Sequence, residues 1–141
     1  QWKRCCNARL GMIIDVDDLH MVEAIIKDVH IIVDIDREVL RKMIIGSFLE
    51  DHRFIVAEIE EGKPVGFMFA NVQQLDGENC AFIQACFSKK KGNVQVMLDK
   101  LISWSKEIGI KRMVFMSKRN PKAWQRKYKF NPIYTVMTRG V

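Results

Sequence analysis

Residues 54–87 read as strand three times in succession, and the chain then switches abruptly to helix. That switch limits the available folds more than any other feature. Residues 54–60 are rich in β-branched and apolar side chains, and Glu61-Gly62-Lys63-Pro64 reads as a tight turn. Residues 65–72 return, Asp76-Gly77-Glu78-Asn79 turns the chain again, and residues 80–87 are apolar enough to lie at the centre of a sheet. After Ser88-Lys89-Lys90-Lys91-Gly92-Asn93, the stripe Val94, Met97, Leu98, Leu101, Ile102, Ser105 and Ile108 has helical spacing, with Gly109 placed as its C-terminal cap. Residues 112–116 form a short apolar strand. Strand, helix, strand in this order implies a right-handed crossover and a parallel pair. The expectation is an α/β (α+β) domain with one mixed, mostly antiparallel sheet and flanking helices.

The flanks fill in the helices. Residues 2–12 are weakly patterned and hold a first strand in this reading. Asp17 or Asp18 caps a helix with Leu19, Val22, Ile26 and Val29 on one side. Asp36 caps a second, with Val39, Leu40, Met43, Ile44 and Phe48 facing inward. Asn120 caps a short helix that has Pro121 at its first position and carries Ala123, Trp124 and Tyr128. Pro132 ends it, and residues 133–138 form a last strand. No repeat, low-complexity tract or linker interrupts the chain, so residues 1–141 read as a single domain.

Composition narrows the function classes. With 48% hydrophobic and 28% charged residues the chain can build a core, which argues against disorder. The longest apolar runs fall far short of the ~20 residues that span a bilayer. No signal peptide is visible, and a start at Gln1 rather than Met leaves the true N-terminus open. Cys5, Cys6, Cys80 and Cys86 form no CxxC and have no His at metal-site spacing, so they read as reduced thiols of a cytoplasmic protein with no metal. Residues 1–84 carry 9 Lys and Arg against 15 Asp and Glu, a net −6, whereas residues 85–141 carry 14 against 2, a net +12. A basic half of this kind suits a polyanion: a phosphorylated cofactor, a nucleic acid or a membrane surface.

The stretch from Lys89 to Val94 is where such an anion fits best. It joins a buried strand to a well-formed helix whose first N–H groups lack intrahelical partners and whose dipole is positive at that end. Gly92 allows close backbone approach, and Lys89, Lys90 and Lys91 add charge. Neither GxxxxGK[ST] nor GxGxxG is present, so this is neither a Walker loop nor a dinucleotide fingerprint.

In the order of these parts the chain resembles a GNAT-superfamily N-acetyltransferase. That family has a strand, an Arg/Gln-x-x-Gly-x-Gly/Ala loop opening a long helix, a further strand, an Asn-x-x-Ala helix and a Gly-Phe pair before the closing strands. Lys89-Lys90-Lys91-Gly92-Asn93-Val94 stands at the loop, Asn120-Pro121-Lys122-Ala123 at the second signature, and Lys129-Phe130 at the Gly-Phe pair. The agreement covers roughly residues 10–140. Lys89, Val94 and Lys129 depart from the usual Arg/Gln, small residue and Gly.

The resemblance implies acetyl-CoA, or another acyl-CoA, as co-substrate and direct transfer of an acetyl or short acyl group to an amine. Ala85, Cys86 and Phe87 would align the pantetheine arm, and Lys89 to Val94, together with Asn120, would hold the cofactor. The family often protonates the leaving thiolate with a Tyr of the last helix. Counting from Phe130 puts Gln125 there and counting from Asn120 puts Lys127 there, while Tyr128 is the adjacent candidate and otherwise an aromatic core residue beside Trp124. For the base, Glu78 at the start of the third meander strand and Glu58 on the first are candidates, each otherwise a solvated charge; Gln84 cannot take a proton. The acids Asp34, Asp36, Glu50 and Asp51 suggest a cationic amine, either a small molecule or a basic peptide. Two readings compete with this one: a GNAT-like domain that binds acyl-CoA or a partner without catalysis, and a basic nucleic-acid-binding module, which ranks last because no RNP-type motif or zinc set is present. A homodimer is compatible with all three.

Overall fold

A computed structural model of the chain describes residues 12–29, 36–89, 93–116, 122–133 and 136–140. Its elements run β1 (Met12–Asp15), α1 (Leu19–Val29), α2 (Arg37–Phe48), β2 (Arg53–Glu60), β3 (Lys63–Leu75), β4 (Glu78–Ser88), α3 (Asn93–Glu107), β5 (Met113–Phe115) and α4 (Lys122–Tyr128). The five strands form one sheet in the order β1-β2-β3-β4-β5. Every pair is antiparallel except β4 with β5, which the crossover through α3 makes parallel.

Both hairpin turns are set by local chemistry. Glu61 and Gly62 have φ of 51° and 78°, and Asp76 and Gly77 have 53° and 75°. Two consecutive positive φ angles mark the two-residue turn whose twist matches that of the strands it joins, and Gly at the second position removes the steric cost there. The first turn is therefore Glu61-Gly62 alone, and Lys63 and Pro64 already belong to β3. Pro64 is tolerated in the sheet because the register slips beside it: Glu58 faces Gly66 but Ile59 faces Pro64, which leaves Val65 as a bulge.

Period-two alternation sends successive side chains to opposite faces. Ile55, Ala57, Ile59, Phe67 and Phe69 pack with Val22, Ile25, Ile26, Leu40 and Ile44 of α1 and α2. Phe54, Val56, Met68, Ala70, Ala81 and Ile83 pack with Met97, Leu98 and Leu101 of α3. A sheet covered on both faces explains why β2 and β3 read as nearly continuous apolar runs.

The helix caps follow the sequence. Asp18 Oδ1 accepts from Met21 N at 2.8 Å, and Asp36 Oδ1 accepts from Glu38 N at 2.9 Å and Val39 N at 3.2 Å. Gly109, at φ 77°, ends α3, with Ile110 N donating to Ser105 O at 2.8 Å and Gly109 N to Lys106 O at 3.2 Å. That is the paired 6→1 and 5→2 closure of a Schellman cap.

The first strand expected in residues 2–12 falls, but for Met12, outside the described residues; β1 as described is Met12–Asp15. Two expectations are corrected. Val39 is half exposed instead of facing inward, because the apolar stripe of α2 centres on Leu40 and Ile44. Residues 133 and 136–138 form no strand, and Ile133, Val136 and Met137 are exposed; Tyr134 and Thr135 lie outside the described residues.

α4 also ends on a left-handed residue, but without glycine and with the 5→1 bond of the αL motif in place of the Schellman pair. Lys129 holds φ 61°, while its N–H reaches Gln125 O at 3.0 Å and Phe130 N reaches Trp124 O at 3.3 Å. A side chain in this left-handed conformation costs about 1–2 kcal/mol, part of which glycine returns as extra unfolded-state entropy. Lys129→Gly should therefore stabilise the chain by about 0.5–1 kcal/mol, a rise in Tm of roughly 3 °C that differential scanning fluorimetry would show.

Candidate functional site

The sheet opens where β4 carries an extra residue. Ala70 faces Ile83 and Phe69 faces Ala85, so Gln84 is a bulge. On the other side of β4, pairing with β5 runs Ala81↔Met113, Phe82↔Val114 and Ile83↔Phe115 and stops there. The bulge and the end of the ladder thus fall on adjacent residues. A bulge bends its strand and increases twist, which separates β4 from a straight neighbour. Gln84 Nε2 fixes the bulge by donating to Asn71 Oδ1 at 3.1 Å. Among the described residues, no strand pairs with the last five residues of β4 on the β5 side. Crevices at the carboxyl ends of diverging parallel strands are where α/β sheets bind ligands.

Ala85, Cys86 and Phe87 line this stretch and are half-buried. Their side chains alternate: Ala85 and Phe87 pack toward α1 and α2, and Cys86 packs toward α3. Burial pushes the Cys86 thiol up to about 12, so it stays protonated at neutral pH and is a poor nucleophile. Burial, followed by the charge of Glu78, also raises the Cys80 thiol. Both cysteines are free.

β4 leads to Lys89, which is exposed, and α3 starts at Asn93. Lys90, Lys91 and Gly92 lie outside the described residues, as do Asn120 and Asp34. Val94 is half-buried against the α3-side core. Asn93 turns its side chain inward, where Nδ2 donates to Glu58 Oε2 at 2.9 Å; Ser88 Oγ donates to the same oxygen at 2.8 Å. Glu58 is fully buried, so it is not the solvated strand-face charge that sequence reasoning set beside its role as base. Two signals in the sequence mark it: a carboxylate in the middle of the apolar run from Phe54 to Ile59, and a glycine, Gly66, on the facing strand.

The two sequence-predicted catalytic residues are linked only through Arg112, which pairs with Glu78 and lines the same groove as Tyr128. Glu78 opens β4 and pairs with Arg112 at 3.6 Å across an exposed surface. Tyr128 ends α4, half-buried, with its ring 5.0 Å from Trp124 and Lys127 Nζ 5.5 Å above it. Tyr128, Arg112, Lys111, Lys129 and Asp76 line one groove of about 530 Å³. Six residues separate Glu78 from Gln84, which is about 20 Å along an extended strand. A second groove, of about 700 Å³, runs between β1, β2 and α3 and presents Asp15, Asp17, Asp99 and Glu107 around Trp104. Of the acids assigned to an acceptor, Asp36 is engaged as the α2 cap, while Glu50 and Asp51 are exposed just beyond that helix.

No protein-family model and no curated protein matches this sequence. Solved structures do match it. An aminoglycoside N-acetyltransferase in complex with CoA superposes with a TM-score of 0.73 at 13% identity, covering 96% of this chain and 97% of that one. An aminoglycoside 6'-N-acetyltransferase from Acinetobacter baumannii gives 0.71 at 12%, covering 93% and 97%. A glucosamine-6-phosphate N-acetyltransferase from Arabidopsis thaliana gives 0.68 at 11%, covering 92% and 97%. The chain therefore has the fold of the GNAT-superfamily N-acetyltransferases.

Because the raised thiol pKa disfavours the thiolate, Cys86 should label slowly in the folded chain. In a Cys5→Ser, Cys6→Ser background at pH 8, modification of Cys86 by a maleimide should be at least ~100-fold slower folded than in urea. The linkage has a definite sign. The raised pKa contributes stability that is complete below the unfolded value of 9.0 and is lost as pH climbs from there toward about 12.

Proposed function

We propose that the chain is an acyl-CoA-dependent N-acyltransferase that moves an acetyl or short acyl group to an amine by direct transfer in a ternary complex. The observation that carries this reading is the coincidence of the Gln84 bulge with the end of β5 pairing, followed at once by the start of α3. This arrangement suits an extended pantetheine arm, whose amides can bond the edge of β4 that pairs with no strand among the described residues. The first-turn N–H groups of α3 and the lysines Lys89, Lys90 and Lys91 suit the pyrophosphate and 3′-phosphate, with Gly92, Asn93, Val94 and Asn120 completing the contact surface.

In the reaction the neutral amine attacks the thioester carbonyl, the carbon–sulfur bond breaks, and the amine's proton and the thiolate's deficit must balance. Positioning and carbonyl polarisation by backbone donors near Ala85 to Phe87 supply most of the rate. Tyr128 is proposed as the acid that protonates the departing sulfur; Glu78, the base proposed for the amine's proton, stands about 20 Å along β4 from Gln84, so it takes that proton only through a chain of waters and not by direct contact. Glu78 reaches that state only by leaving Arg112, and this ion pair is the specific observation favouring the second reading, an acyl-CoA-binding domain without turnover. The protonated state of Cys86 argues against an acyl-cysteine intermediate in either case. A cationic amine is the proposed acceptor, on the strength of the acids in the N-terminal half. Free thiols at Cys80 and Cys86 fit a cytoplasmic setting. Among the described residues, no helix is long and apolar enough to cross a membrane.

Isothermal titration with acetyl-CoA tests the binding half of the proposal. Micromolar affinity that weakens at least tenfold when Lys89, Lys90 and Lys91 are all changed to Ala, and that depends less steeply on salt in this variant, is the expected result. A wild type that does not bind acetyl-CoA defeats the proposal.

A thiol-release assay over a panel of amines tests the chemistry. Polyamines and aminoglycoside-like amines should outperform neutral or anionic acceptors at low salt. Tyr128→Phe should lower kcat about 10²-fold with little change in acetyl-CoA affinity. Binding without turnover on any amine selects the second reading.

A further inference from the structure

Glu58 presents a physical problem that the proposed reaction does not use. It lies within a strand, is fully buried, and belongs to the face that packs on α3. An uncompensated carboxylate in such a place costs several kcal/mol. One of its oxygens, Oε1, has no hydrogen-bond partner among the described residues. The other, Oε2, accepts two hydrogen bonds, from Ser88 Oγ at 2.8 Å and from Asn93 Nδ2 at 2.9 Å.

Those two donors are the last residue of β4 and the first residue of α3. A single oxygen therefore fixes the distance between the strand end and the helix start. Reaching them requires an unusual gap in the sheet. Glu58 faces Gly66, and Gly66 in turn faces Ser88, so Glu58 and Ser88 stand two strands apart, about 9.5 Å. A Cβ on Gly66 would lie 2.8 Å from the Phe87 carbonyl oxygen and 3.3 Å from Glu58 Cβ. Only glycine between them leaves room for the glutamate side chain to cross to Ser88.

We propose that Glu58 is a positioning residue for acyl-CoA binding, tethering the end of β4 to the first turn of α3 so that the N–H groups of that turn are aimed at the phosphates. This rests on the reading of the site given above. The tether needs an acceptor oxygen, not a charge. A negative carboxylate close to an anion site even opposes the phosphates, so the neutral amide of glutamine should serve as well or better.

The test compares Glu58→Gln with Glu58→Leu in the full chain, measuring acetyl-CoA affinity by calorimetry and hydrogen exchange across the first two turns of α3. The glutamine variant should bind acetyl-CoA as tightly as wild type or more tightly. The leucine variant should bind at least tenfold more weakly and exchange faster in those turns. Should Glu58→Leu fail to fold, Ser88→Ala removes one of the two bonds and should weaken binding about threefold or more. Unchanged affinity in both Glu58→Leu and Ser88→Ala overturns the inference. So does a tenfold loss in Glu58→Gln, which would show that charge is what counts. If wild type binds no acetyl-CoA, the reading of the site fails, and hydrogen exchange alone decides the tether: equal exchange in the leucine variant and wild type rejects it.

Discussion

Three rungs of parallel ladder, from Ala81↔Met113 to Ile83↔Phe115, hold the C-terminal third of the chain to the sheet, and where they stop decides what the sheet can bind. A ladder this short cannot hold a strand by hydrogen bonds alone, at a net contribution of about 1 kcal/mol each. It is supported by a ring cluster in which Phe115 sits 4.4 Å from Trp124 and 6.5 Å from Phe130, with Trp124 edge-on to Phe130 at 5.9 Å. Such pairs contribute roughly 0.5–1.5 kcal/mol each beyond area burial. The rings of Trp124 and Phe130 thus hold the paired part of β5, and the pairing ends at the residue before the Gln84 bulge.

Element type was largely legible because both of its physical signals were strong. Two turns required positive φ and had glycine at their second positions, and the α3 stripe was long and regular. Asp36 and Gly109 announced their helix ends because a side-chain acceptor and a left-handed glycine do the same local work in any fold. The bulge was not legible: Gln84 and Val65 differ in nothing from paired strand residues until the facing strand supplies the register. The missing last strand has a related cause. Residues 133–138 alternate well enough for a strand, but alternation without a partner leaves Ile133, Val136 and Met137 in solvent.

The site was legible in its position along the chain more than in its chemistry. A strand, a basic glycine-containing stretch and a helix can be read off directly, and they stand in the expected order. The roles of single side chains depend on distances that sequence does not carry. Glu58 and Glu78 look alike as strand glutamates. One is fully buried and holds Ser88 and Asn93, and the other is exposed and spends its charge on Arg112. Lys129 shows the same dependence in backbone form. A lysine holds the left-handed position with no glycine to ease it, which means the cap geometry is set by the bonds to Gln125 and Trp124 rather than by the residue at that position.

The charge split takes on a different meaning once the partners are known. At least four of the fifteen acids of the first half are engaged within the fold. Asp18 and Asp36 cap helices, Glu23 forms a two-pronged pair with Arg41 between α1 and α2 at 2.5 and 2.9 Å, and Glu58 is buried. These acids contribute little to a field that an incoming cation would feel. Residues 108–141 contain nine Lys and Arg and no Asp or Glu, so counter-charge to them comes from outside that stretch. Among the described residues Glu78 supplies some of it, reaching Arg112 from the start of β4. Net charge of one sign destabilises a compact state unless a counter-charge is near. The field most in need of an external partner is therefore the positive one, and the ligand it calls for is an anion. On the proposed reading that field suits the phosphates of the cofactor, and the acceptor is selected by the shape and polarity of the groove it enters.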